Sequence, residues 1–224
     1  MLTEVTRDDV RGKASVADGT LAEISEAIAA ISRGEIVIVV DDEDRENEGD
    51  LVVAAELATP EIVNFMITHG RGLVCISITE DRASELNLPP MTETNTESML
   101  TAFTVSVDGG REHGVTSGIS AFERATTIGL VVRGTDADLK RPGHMFPLIA
   151  RNGGSLERAG HTEASVDLAR LAGLKPAGVI VEIVGNDGQM MRRPGLAQFA
   201  RTHGLLMTSI ERLRGYLQME KRAS

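Results

Sequence analysis

The chain has 224 residues, 42% hydrophobic and 25% charged, the composition of a folded domain with room for a substantial core. Its 33 acidic and 23 basic residues leave a net charge of −10, which excludes the basic face that nucleic acids and anionic membranes require. Six aromatic residues with no tryptophan give no base-stacking platform, and no apolar run reaches the ~20 residues of a membrane span.

Residues 1–19 are polar and aperiodic, a flexible lead-in without the basic-then-apolar pattern of an export signal. Thr20-Leu21-Ala22-Glu23 has capping-box spacing ahead of a helix that carries Ile24, Ala27, Ile28 and Ile31 and stops at Gly34. Ile36–Val40 is a continuous β-branched run, the signature of a strand covered on both faces, and Leu51–Ala55 reads as a second strand. Thr59-Pro60-Glu61 starts a helix that ends at Gly70. Leu73–Ile78 is another buried strand and contains the only cysteine, Cys75, which excludes an internal disulfide and fits a reducing cytoplasm. A short helix follows near Asp81–Leu86, then a polar loop over 91–100 and an alternating strand over Thr101–Val107.

Ser120 and Glu123 repeat the capping-box spacing before a helix near 121–128. Arg141–Leu148 reads as a Pro/Gly loop, and a tight turn at Arg158 opens a helix closed by Gly173. Gly178–Val184 is a buried strand interrupted by one acid, Glu182; a helix over Leu196–His203, a strand near Leu205–Ile210 and a helical tail complete the chain. This pattern specifies one α+β domain over 20–217, followed by a tail over 218–224.

Between the first two strands lies "DDEDRENEGD", Asp41 to Asp50, with seven carboxylates. Charge this dense repels itself unless it is neutralised, and hard carboxylate oxygens suit magnesium or manganese. It is not a calcium loop of the EF-hand type: counted from Asp41 or Asp42, Glu46 or Asn47 stands where that loop needs glycine, and counted from Asp44, Ala55 stands where it needs glutamate. Arg45 within the run suggests a second anion, such as a phosphate, beside the metal.

Three further stretches could carry chemistry. In "RAGHT", Arg158 to Thr162, amides at a helix N-terminus favour an anion, with Arg158 and Thr162 as side-chain donors and His161 as a metal ligand. An ordinary capped helix with a surface histidine is the bland alternative. His144 is a candidate general acid/base or a structural histidine. Glu182 is either an outward-facing acid or a buried general base with a raised pKa. Together these make a kit for metal-assisted proton abstraction beside the carbonyl of a phosphorylated sugar.

The stretches "DDEDRENEGD", "TAFTVSV", "GVTSGISA", "RPGHMFPL", "RAGHTEASVDLARLAG" and "PAGVIVEI" resemble, in this order, the 3,4-dihydroxy-2-butanone 4-phosphate synthases of riboflavin biosynthesis, from about Leu21 to Leu217. The resemblance implies a mixed, twisted β-sheet with helices on both faces, in three layers. It implies a lyase that turns D-ribulose 5-phosphate into L-3,4-dihydroxybutan-2-one 4-phosphate and formate, with two magnesium or manganese ions per site. It further implies a cytoplasmic homodimer with sites near the subunit interface, in the single-function form.

Position by position, the resemblance makes Glu46 and His161 metal ligands and places Arg45, Glu46, Asp50 and Glu182 at the substrate. Arg158, Ala159, Gly160, His161 and Thr162 would hold the sugar phosphate. Acid/base work falls to His144, Glu182, Asp50 and Glu48, while Asp41 to Asp44 are read as largely structural. Cys75 and the segment 116–120 are expected near the substrate. Where relatives usually carry tyrosine or histidine followed by glycine, this chain has Met99-Leu100. Another magnesium-dependent sugar-phosphate lyase or isomerase, and a nucleotide- or RNA-binding module of related fold, are the competing readings.

Overall fold

The computed structural model describes residues 20–223; the expected lead-in over 1–19 and the final Ser224 lie outside the described residues. Seven strands form one mixed sheet: β1 (Val37–Val40), β2 (Gly49–Ala54), β3 (Cys75–Ile78), β4 (Val107–Gly109), β5 (Leu139–Ile149), β6 (Gly178–Glu182) and β7 (Leu206–Ser209). Their order is β4-β5-β3-β6-β2-β1-β7. The β1–β7 and β3–β5 pairs are parallel and the others antiparallel.

Both faces of the sheet are covered, as the unbroken β-branched runs require. Ile36, Ile38 and Val40 point into a core shared with α2 (Pro60–Phe65), α3 (Glu80–Glu85), α4 (Ala121–Arg133) and α6 (Arg193–His203). Val37 and Val39 point the other way, into a core shared with α1 (Ile24–Ser32), α5 (His161–Leu171) and α7 (Ile210–Ala223). Burying each such side chain stabilises the fold by about 1.5–3 kcal/mol. The result is the three-layer α+β domain expected. Among the described residues, no helix is long and apolar enough to cross a membrane.

Three local expectations change. First, α1 starts one turn late: Glu23 is its N-cap, paired reciprocally with Glu26. Residues 20–22 are not free to coil, because Ala22 N–H donates to Met207 at 2.7 Å and Ala22 C=O accepts from Thr208. Second, Thr101–Val107 is not a continuous strand; Phe103 and Thr104 make single bridges to Leu148 and Pro90, and regular pairing begins at Val107. The neighbouring Pro147 has no N–H to give, so the ladder is interrupted there.

Third, Arg141–Leu148 is not a loop but most of β5, the longest strand at 11 residues. Its Pro/Gly signal marks a bulge instead. Val107 faces Met145 while the next residue, Asp108, faces Lys140, so Arg141–His144 bow out of the ladder. Gly143 crosses the β4 backbone so closely that a Cβ would lie 2.0 Å from Val107 C, and only glycine fits.

Candidate active site

β2 begins inside the acidic stretch, and this places the site. Asp50 lies opposite Glu182 in the antiparallel β2–β6 pair, two residues from the Val52–Ile180 pair. Residues directly opposite share a face, so both carboxyls stand on the side where α5 packs. The N-terminus of α5 arrives at the same end and delivers His161 and Thr162. A cleft of about 230 Å³ opens there, lined by Arg45, Glu46, Glu48 and Asp50 from the acidic stretch and by Arg158, His161, Thr162 and Glu182.

The acidic stretch is organised around one residue. Asp41, buried at the end of β1, accepts at Oδ1 from Glu48 N–H (2.8 Å) and at Oδ2 from Glu46 N–H (3.0 Å) and Arg45 Nη1 (3.0 Å). Arg45 also pairs with Glu46. From outside the loop, Arg192 donates to the carbonyls of Glu46 (2.7 Å) and Asn47 (2.6 Å). The charge is therefore held by two arginines and by backbone amides, which aim Glu46, Glu48 and Asp50 into the cleft.

His161 is buried and donates from Nε2 to the Val39 carbonyl at 3.2 Å. That bond leaves Nδ1 unprotonated, and Nδ1 faces Glu46 Oε2 at 3.8 Å and Asp50 Oδ1 at 4.0 Å. Burial pushes the imidazole down to about 4, against the pull of the Asp41 carboxylate. A nitrogen lone pair thus faces two carboxyl groups, an arrangement that a cation between them would satisfy, and a histidine oriented by a backbone carbonyl is a usual form of metal ligand. Asp41, Glu46 and His161 offer ligand atoms within 4.8 Å of one another. Both oxygens of Asp41 are engaged by the loop, and Glu46 is engaged by Arg45 at Oε2 alone, so Glu46 and His161 keep ligand capacity. The donor set fits a divalent cation.

The other acids are held towards their protonated forms. Burial pushes Asp50 well above its ordinary value, and the charges of Glu182, Glu46, Glu48 and Asp41 add to it. Burial also raises Glu182, partly offset by hydrogen bonds from its own N–H and that of Leu73, and raises Glu48, where Arg192 pulls the other way. Cys75, at the floor of the cleft, is pushed well above the normal thiol range by burial and by the charges of Glu182 and Asp50.

The RAGHT turn differs in detail from its sequence reading. Gly160 caps α5 without a side-chain hydrogen bond, so the first-turn amides face the cleft uncapped. However, a Cβ at Gly160 would meet Arg158 Nη1 at 2.2 Å and Glu163 Oε2 at 2.7 Å. The glycine therefore makes room for the Arg158–Glu163 ion pair rather than for ligand. Arg158 also donates through Nη2 to Met99 C=O and Thr101 Oγ1, both at 3.2 Å, so only part of its guanidinium is free. Ala159 packs against the α1/α5/α7 core instead of lining the cleft.

His144 does not line the cleft of its own chain. It projects from the β5 bulge, two residues before Phe146, whose β3 partner is Cys75. The 116–120 segment is likewise outside the cleft, tied by Thr116, Ser117 and Ser120 to the Glu123 carboxylate at the start of α4. Sequence reasoning missed Glu97, Thr101 and Phe103 on the cleft wall and Arg192 behind the acidic loop. Glu97 lay in a stretch without periodicity, and Arg192 carries no local signal. Glu97 accepts from the N–H groups of Thr101 and Met99, which hold it at about 2.

The ends of two central strands carrying hard oxygen donors, beside an uncapped helix N-terminus that brings a neutral imidazole, define a site for a divalent cation and a small anion. Residues 25–216 match the family model of 3,4-dihydroxy-2-butanone 4-phosphate synthase, and the chain belongs to that family. It is 56% identical over 208 residues to riboflavin biosynthesis protein RibBA of Aquifex aeolicus, covering 90% of this chain and 51% of that protein. It is similar to RibBX, a two-domain 3,4-dihydroxy-2-butanone 4-phosphate synthase from A. baumannii, with a TM-score of 0.82 and 50% identity over 86% of this chain and 56% of that one. A crystal structure of 3,4-dihydroxy-2-butanone 4-phosphate synthase in complex with two magnesium ions aligns with a TM-score of 0.85 and 40% identity, covering 90% of this chain and 99% of that one. The chain spans about half the length of the curated relatives it matches.

Proposed function

We propose that the chain converts D-ribulose 5-phosphate to L-3,4-dihydroxybutan-2-one 4-phosphate and formate in riboflavin biosynthesis. The observation that carries this reading is His161 Nδ1 facing the carboxyls of Glu46 and Asp50 at 3.8 and 4.0 Å. Family membership supports the same reaction. Glu46 and His161 would hold the metal, magnesium or manganese, expected as two ions per site. Bound there, the metal would supply Lewis-acid chemistry that stabilises negative charge developing on the ketose.

The protein's own groups do the rest. The uncapped amides of α5 and the Thr162 hydroxyl bind the C5 phosphate, aided by the free part of Arg158, and fix the flexible chain in place. Arg45 and Asp50 contact the sugar. Asp50, Glu182 and Glu48, raised by burial, are proton carriers: the protonated form gives a proton to a departing hydroxyl, the ionised form takes one from carbon.

His144 completes the site from a second copy of the chain, in a homodimer with sites near the interface. Two features support this: His144 stands outside its own cleft, and Ile119 (52% exposed) and Phe122 (67% exposed) leave apolar surface on the neighbouring segment. Incubation with ribulose 5-phosphate and Mg²⁺ tests the reaction. Formate released in step with substrate consumed is expected; a pentose phosphate product without formate would overturn it. Sedimentation as a monomer would overturn the dimer.

A further inference from the structure

At the β5 bulge the His144 imidazole is paired with a carboxylate of β4. Asp108, on β4, accepts at Oδ1 from His144 N–H (2.9 Å) and at Oδ2 from His144 Nδ1 (2.7 Å). A carboxylate offers only acceptors, so Nδ1 carries the ring proton and Nε2 is left with its lone pair. Nε2 makes no hydrogen bond among the described residues, and 44% of the side chain is exposed against 13% for Asp108. The carboxylate is itself locked. Gly118, at φ +87°, packs its backbone so tightly on Asp108 that a Cβ would lie 2.2 Å from Oδ2. Lys140, opposite Asp108 in register, is turned away to Glu112.

A bulge needs only its backbone tied, and Ser106 already does part of that by accepting from Gly143 N–H at 3.1 Å. Gripping the ring at Nδ1 as well fixes its tautomer and its direction, which a purely structural anchor does not require.

We propose that Asp108 is a positioning residue that holds His144 as the Nδ1–H tautomer and presents Nε2 to the substrate. This rests on the role proposed above for His144. It also gives the TSGIS segment a function in this chain: through Gly118 it buttresses Asp108.

The test uses the full chain with Mg²⁺ and ribulose 5-phosphate, and compares Asp108→Asn, Asp108→Glu, Ser106→Ala and His144→Ala. Long-range ¹H–¹⁵N spectra of the imidazoles read the tautomer directly. Wild-type His144 is expected as Nδ1–H, and Asp108→Asn, whose amide can donate to Nδ1, shifts it towards Nε2–H. Asp108→Asn should lower kcat by about 10- to 100-fold with little change in KM and move the pH–rate profile, while Asp108→Glu recovers part of the loss. Ser106→Ala, which frees the bulge without touching the ring, should keep wild-type kcat. Wild-type kcat in Asp108→Asn while His144→Ala loses turnover overturns the proposal but leaves the role of His144 standing. Equal losses in Ser106→Ala and Asp108→Asn with an unmoved pH profile reduce Asp108 to a backbone anchor and overturn it as well. If His144→Ala keeps full turnover, the substrate-facing role of Nε2 falls with the reading of His144, and the proposal is overturned in that part whatever the tautomer.

Discussion

His161 and His144 belong to the same kit of residues but are handled in opposite ways. His161 is buried, bonded through Nε2 to a backbone carbonyl, and turns Nδ1 to two carboxylates. His144 is half exposed, bonded through Nδ1 to a carboxylate, and turns Nε2 to solvent. Each partner fixes the tautomer and direction of a neutral ring: the carbonyl leaves Nδ1 of His161 facing two carboxyls, and the carboxylate leaves Nε2 of His144 facing outward. On the roles proposed above, these partners would separate a metal ligand from an acid/base, although both are histidines beside a glycine. The first is complete within one chain, whereas the second is offered outward.

Breaking the inner region should have the larger effect. Glu46→Gln and His161→Ala each remove a cation ligand, and the lost stabilisation of several kcal/mol corresponds to about a thousandfold in turnover. The protein should stay folded, since neither change opens the sheet. Formate release and calorimetric Mg²⁺ binding measure the two consequences together; full activity with unchanged metal affinity would sink the ligand assignment. His144→Ala should cost less, about a hundredfold, as general acid–base groups contribute 10²–10⁴-fold. Metal affinity should not change in this variant. A loss of metal binding in His144→Ala would erase the distinction between the two histidines.

The contrast also predicts chemical reactivity. Diethyl pyrocarbonate should modify His144 and spare His161 in the folded protein, as read by peptide mass mapping; the reverse order would contradict the burial of His161. Cys75 tests the same inner region. Its folded pKa is raised by burial first and by Glu182 and Asp50 next, so at any given pH less of it is thiolate than in a free cysteine. Alkylation at pH 8 should therefore be slower than for a free thiol and accelerate as pH rises past 9.0, the ordinary value for this group. Glu182→Gln removes one of the two charges and should speed the reaction; no change would mean that the carboxyl is neutral beside the thiol.

The two regions were not equally legible in the sequence. The inner one was, because its parts sit on strong local signals: β-branched runs either side of the acids, an acid inside a buried strand, and a glycine before a helix. Residue type and spacing marked these stretches, and the family resemblance assigned Glu46, Asp50, His161 and Glu182 to one site, where they line one cleft. The outer one was not. Pro142 and Gly143 suggest a loop, and only the β4–β5 register shows that they form a bulge in a long strand. Asp108 has no local mark; its importance comes from facing that bulge across the sheet. The Thr20 cap failed for a similar reason, since contacts with β7 far along the chain hold residues 20–22 extended. Local pattern finds elements, while register and long-range ties decide how their side chains are aimed.

The smallest expected effect concerns the loop that reaches from the sheet edge to Arg158. Leu100 sits at φ 53°, in the left-handed region, with its side chain 52% exposed and so without burial to offset the conformation. Non-glycine residues pay roughly 1–2 kcal/mol there, and glycine returns roughly 0.5–1 kcal/mol of that as unfolded-chain entropy. Leu100→Gly should therefore stabilise the protein by up to about 1 kcal/mol, seen as a rise of roughly 2–4 °C in melting temperature. The hydrogen bonds from Arg158 to Met99 C=O and Thr101 Oγ1 flank this residue and link its conformation to the proposed phosphate end of the cleft. If the loop is only strained, the variant melts higher with unchanged KM for ribulose 5-phosphate. If the strain aims Arg158, KM rises while metal affinity and the His144 tautomer stay as they were, and the inner region gains a third arm that depends on backbone conformation rather than on charge.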